Sequence, residues 1–75
     1  MLSAYILVKT KAGKSFEVLK AVKKIKEVKS AESVAGPLDL ILKVTAEDLK
    51  KIGEVVVNKV QQVEGIRTTI TCLIV

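Results

Sequence analysis

The stretch Ser33–Asp48, SVAGPLDLILKVTAED, limits what this chain can fold into more than any other. It reads as the end of one strand, a Gly36-Pro37 turn, an apolar strand and a helix start, so two strands must pair as neighbours before a helix crosses back. Leu38 to Val44 is rich in Leu, Ile and Val. Leu40, Leu42 and Val44 fall on one side, and Asp39, Ile41 and Lys43 on the other. Thr45 with Asp48 three residues on has the pattern of a capping box, with Asp in place of the usual Glu. Leu49, Ile52, Val56, Val60 and Val63 then continue a helical stripe to about Val63, where Glu64-Gly65 ends it.

The flanking segments complete the pattern. Met1–Thr10 alternates as a strand, with Ala4, Ile6 and Val8 on one side and Tyr5, Leu7 and Lys9 on the other. After the Lys11–Lys14 turn, Ser15 is placed to cap a helix from Phe16 to about Lys26, with an apolar stripe through Val18, Leu19, Val22 and Ile25. Glu27–Ala35 is a polar strand of the kind a sheet edge tolerates. Ile66–Val75 is the last strand, with Ile70, Cys72 and Ile74 on one face and Thr69, Thr71, Leu73 and Val75 on the other. The order β-α-β-β-α-β predicts an α+β, ferredoxin-like fold over residues 1–75 as a single domain, a four-stranded antiparallel sheet with two helices on one face.

Two helices cover only one face of such a sheet. The other is expected to carry Tyr5, Leu7, Ile41, Leu73 and Val75, a patch too apolar to stay in water. The chain has 75 residues, of which 49% are hydrophobic, and a chain this short buries only about 60% of its unfolded surface. A single cysteine, Cys72, rules out a disulfide framework, and with no histidine it makes metal and redox roles poor readings. Self-association through the open face, as a two-fold dimer, is the expected supplement.

Catalytic groups are hard to find. There is no histidine, the glutamates sit on polar helix faces or at helix ends, and Gly13-Lys14-Ser15 lacks the upstream glycine of a phosphate loop. No enzymatic role and no cofactor is expected. The paired cysteines of a metal chaperone are missing, and RNA-binding aromatics reduce to Tyr5. The net charge of +5 permits nucleic-acid binding, but lysines spread over helix exteriors read equally as a solvated face. No apolar run approaches the about 18 residues of a membrane span, and no signal peptide is seen, which points to the cytoplasm. Abundant Lys and Glu beside one Asn and two Gln lean towards a thermophilic source.

The remaining polar groups gather at one end of the sheet. Asp39 follows Gly36, Pro37 and Leu38, and Thr68, Thr69 and Thr71 enter the last strand. A carboxylate could hold an ammonium group, and hydroxyls and free amides a carboxylate, which together suit a free amino acid. Turn chemistry for Asp39 and β-propensity for the threonines explain the same residues without a ligand.

Val34-Ala35-Gly36-Pro37-Leu38-Asp39 followed by an apolar strand resembles the Val-x-Gly-x-x-Asp stretch of the Lrp/AsnC family. Gly65-Ile66, then Thr69-Ile70-Thr71, is similar to its Gly-Val and Thr-x-Thr last strand, and Ala4–Val8 with Gly13 fits its first strand and turn. The resemblance covers essentially the whole chain and only that family's effector domain, also called the regulation of amino-acid metabolism domain. It implies sheet-to-sheet dimers assembled into rings such as octamers, with amino acids bound between dimers. It also implies a ligand site at Gly36, Pro37, Leu38, Asp39, Thr69 and Thr71. Members of full length carry a DNA-binding winged helix-turn-helix before this domain. A chain opening on the first strand is expected to lack it, to bind no DNA directly, and to act as a stand-alone sensor, alone or mixed with full-length relatives. A small dimeric α/β-barrel enzyme and a basic nucleic-acid-binding oligomer are the alternatives.

Overall fold

A computed structural model describes residues 1–75. Its elements are β1 (Leu2–Thr10), α1 (Ser15–Val22), β2 (Val28–Ser33), β3 (Leu40–Ala46), α2 (Leu49–Val55) and β4 (Ile66–Leu73). A π-helical turn, Val56–Val60, extends α2. The strands form one antiparallel sheet in the order β2-β3-β1-β4. This is the ferredoxin-like βαββαβ arrangement that the alternating strand and helix patterns predict, with β2 at an edge.

The core lies between the sheet and the helices. Ala4, Ile6 and Val8 of β1 and Leu40, Leu42 and Val44 of β3 are fully buried, and Val18, Val22, Ile52 and Val60 pack onto them from the helical side. Strict alternation on the two central strands is what places these side chains. Each step of the ladder pairs like with like, as in Ala4 with Val44 and Ile6 with Leu42.

β4 departs from expectation. Directly paired residues of an antiparallel ladder share a face, and Ala4 pairs with Leu73, Ile6 with Thr71 and Val8 with Thr69. Thr69, Thr71 and Leu73 therefore lie on the helix side. Ile70 and Cys72, opposite Leu7 and Tyr5, take the open face instead. The expected placing of Leu73 on the open face is wrong. Val75, expected beside it, lies beyond the end of β4 and is fully exposed. The physical cause is that β4 is an edge strand that the helices barely cover. With little core to bury, its apolar pattern does not set its register.

The helix starts also differ. β3 runs to Ala46 because Ser3 and Leu2 pair with Thr45 and Ala46, and the Thr45 hydroxyl bonds that of Ser3 at 3.0 Å. Thr45 is thus a strand residue, and Asp48 caps α2, its carboxylate accepting the Lys51 N–H at 2.9 Å. Ser15 already lies inside α1. Lys14 stands at the cap, with no side-chain bond. α1 stops at Val22 rather than Lys26, and tight backbone turns at Lys24 and Ile25 carry the chain into β2. Ile25 still packs against the core.

Gly65 shows why a glycine closes the second helical segment. Its φ is +102°, and a Cβ there would stand 2.9 Å from Val18 Cγ2. The Gly65 carbonyl accepts the Lys11 N–H at 2.8 Å, tying the start of β4 to the end of β1.

Candidate functional site

The loop between β2 and β3 is held by Asp39. Its N–H donates to the Val8 carbonyl at 2.9 Å, and its own carbonyl accepts the Val34 N–H at 2.9 Å. Its carboxylate reaches the end of β1, where Oδ2 accepts the Thr10 N–H at 2.8 Å and the Thr10 hydroxyl at 3.2 Å. Thr10 is the one buried polar residue of the chain, so Asp39 satisfies groups that would otherwise be stranded. Both side-chain bonds use Oδ2. Oδ1 takes part in neither and remains able to accept a further donor. Gly36 has φ +149°, which a residue with a Cβ rarely adopts. It turns the chain so that Pro37 projects outward and Leu38 is half-buried beside Asp39.

The expected partners of this loop lie elsewhere. Thr69 sits in the row Leu40–Val8–Thr69 and Thr71 in the row Leu42–Ile6–Thr71. At about 4.8 Å per strand step, both stand across β1 from the loop side, on the helix face. The Thr69 hydroxyl is engaged by Gln61, whose Nε2 donates to it at 2.9 Å. Within one subunit Gly36–Asp39 and the two threonines do not meet, and no cleft of the chain includes either.

The uncovered sheet face is a second candidate surface. Tyr5, Leu7 and Ile41 stand on it as expected, joined by Ile70 and Cys72 from β4. Tyr5 is 42% and Ile70 53% exposed. One row across the sheet reads Lys43–Tyr5–Cys72, a set that sequence reading misses because it places Cys72 inside. The shared polarity of Lys43 and Tyr5 was visible in the alternation of their strands. Only the β4 register adds the thiol.

The two clefts of the chain lie at the opposite end of the sheet. One, of about 250 Å³, opens between the α1–β2 turn and the β3–α2 turn and is lined by Lys26, Glu27, Lys29, Thr45, Glu47 and Lys51 among others. The second continues it along α2 through Glu27, Lys51 and Val55 to Lys59. Lys59 Nζ donates to Glu27 Oε1 at 2.9 Å and to Oε2 at 3.0 Å. This pairing holds the Glu27 carboxyl below its ordinary value of 4.5, against the smaller opposing effect of burial. No group of His, Cys, Asp and Glu is arranged to hold a metal ion. No helix is long and apolar enough to cross a membrane.

Comparison with known proteins bears on all of these surfaces. The Lrp/AsnC ligand binding domain matches residues 3–75. An uncharacterized HTH-type transcriptional regulator of Pyrococcus horikoshii is 36% identical over 55 residues, which are 73% of this chain and 37% of the regulator. This chain thus aligns with much less than half of that relative. The crystal structure of FFRP-DM1 superposes with a TM-score of 0.94 at 36% identity, covering 100% of both chains. A transcriptional regulator of Neisseria meningitidis, solved as a complex with L-Met, shares the fold at a TM-score of 0.86 and 22% identity, covering 99% of this chain and 49% of that one.

Proposed function

The chain belongs to the Lrp/AsnC ligand-binding domain family, and on that premise we propose that it is an effector-sensing and oligomerisation domain. It binds a small molecule, an amino acid, at a site completed between subunits, and so modulates transcription through Lrp/AsnC-type regulators. Its relatives are transcriptional regulators, which fits a binding module rather than an enzyme. The observation that carries the reading is that Asp39 is built as half of a site. Oδ2 is fixed by Thr10, Oδ1 is free, and no wall of the same subunit closes over the Gly36–Asp39 loop.

A second copy supplies the missing wall. The open sheet face with Tyr5, Leu7, Ile41, Ile70 and Cys72 drives pairing, since covering apolar surface returns about 25 cal/mol per Å². Dimers then assemble into a ring, octameric or similar, whose subunit boundaries bring a neighbour against the loop. Thr69 and Thr71, remote from Asp39 within the subunit, contribute to the site only across such a boundary. The L-Met found with the Neisseria regulator supports an amino acid as the ligand class. Full-length relatives are natural partners for mixed oligomers.

Thermal unfolding in the presence of each of the twenty amino acids tests this. A ligand at ten times its Kd adds about 1.4 kcal/mol, several degrees for a chain of this size. Asp39→Asn keeps an oxygen for Thr10 but removes the charge that faces the ligand. The expected result is a clear rise in Tm with at least one amino acid, lost in Asp39→Asn. No rise with any of the twenty at millimolar concentration overturns the proposal.

A further inference from the structure

The cleft at the far end of the sheet has a charge pattern that the sensing role does not use. Two of its carboxylates are already committed. Glu27 is held by Lys59 at 2.9 Å, and Glu54, at the mouth of the adjoining cleft, by Lys51 at 3.4 Å. Asp48 is spent as the cap of α2. Lys26, Lys29 and Glu47 make no ion pair. They come from different walls, Lys26 and Lys29 from the turn into β2 and Glu47 from the turn between β3 and α2. Ala46 and Val55 give the cleft an apolar floor, and both are buried.

We infer that this cleft is a binding site for a small amino-dicarboxylate, of the aspartate or glutamate type, within a single subunit. Two uncommitted ammonium groups on one wall match two carboxylates, and the uncommitted Glu47 on the other matches one ammonium. The ligand's methylenes lie on Ala46 and Val55. Charge counting selects this class over the alternatives. A dicarboxylate without an amino group leaves Glu47 facing an anion. A neutral amino acid leaves one of the two lysines unused. The Glu27–Lys59 pair keeps a carboxylate from competing for Lys26 and Lys29, because it satisfies both Glu27 oxygens at once. The site stands at the opposite end of the sheet from Gly36–Asp39, so it does not depend on assembly.

Titration of isotope-labelled protein with L-glutamate and with succinate, at matched ionic strength, tests the inference by amide chemical shifts. Glutamate is expected to give saturating shifts at Lys26–Lys29 and Thr45–Lys51 and to bind more tightly than succinate. Lys29→Gln weakens both ligands. Glu47→Gln weakens glutamate relative to succinate by roughly tenfold, the loss of one charge-assisted contact. Shifts that do not saturate, that sodium chloride alone reproduces, or that succinate gives at equal affinity overturn it. Because the readout is local, the same titration on Asp39→Asn protein reports on this cleft whatever happens at the Gly36–Asp39 end. The two readings therefore fail separately.

Discussion

At the scale of single residues, Asp39 has two duties that pull on one side chain. It is the acid most strongly framed by turn residues in the sequence, and that much is legible without coordinates. Its partner is not, because Thr10 lies 29 residues away and nothing in its surroundings marks it as a group in need of an acceptor. Asp39→Ala leaves the buried Thr10 N–H and hydroxyl without that acceptor, a loss of about 1–3 kcal/mol, or some 5–15 °C in Tm. Asp39→Asn should recover most of it. Urea unfolding of the two variants decides the matter, and equal stability of Asp39→Ala and the parent would show that the clamp carries no weight. Any ligand assay on the alanine variant therefore measures folding as well as binding, which is why asparagine is the informative substitution.

At the scale of elements, periodicity identifies all four strands and both helices, while the ends depend on contacts that periodicity does not contain. Thr45 has the look of a cap, yet the pairing of Ser3 with Thr45 draws it into β3 and leaves Asp48 to start α2. The valine run at Val55–Val57 reads as an ambiguity between helix and strand. The molecule resolves it with a π-helical turn from Val56 to Val60, which seats Val56 and Val60 in the core while Lys59 reaches Glu27. That ion pair joins the second helical segment to the start of β2, and it has a pH signature. The folded-state pKa of Glu27 is depressed, so the stabilisation is present above the unfolded value and disappears as pH falls through the folded one. The pair is partly exposed, which limits it to about 0.2–1 kcal/mol. Lys59→Met should be less stable than the parent by that amount in urea at pH 7 and equal to it near pH 3. A difference that survives at pH 3 assigns the effect to packing instead.

At the scale of the whole molecule, the sequence reading of an apolar second face holds for β1 and β3, and β4 corrects its membership. Burial decided the central strands, because both had one side fully committed to the helices. The edge strand had no such constraint, so its alternation of Ile-Cys-Ile with Thr-Thr-Leu carried no arrow. The correction gives a sharp contrast for association. Ile70→Lys and Leu7→Lys place a charge on the open face and should shift sedimentation to a smaller species, whereas Leu73→Lys, on the helix side, should leave the mass unchanged. The opposite ranking would reject pairing through this face. The two sheet edges differ in a further respect. β2 carries Lys29 and Glu32 along a polar strand, a composition that discourages strand addition. β4 leads into Thr68–Val75, eight residues without a charge or a proline and rich in β-branched side chains, at an edge with no partner on its outer side. Such a segment is a template for cross-β growth. Assembly thus also guards solubility, and a chain diluted or mutated out of its oligomer is the one expected to form fibres.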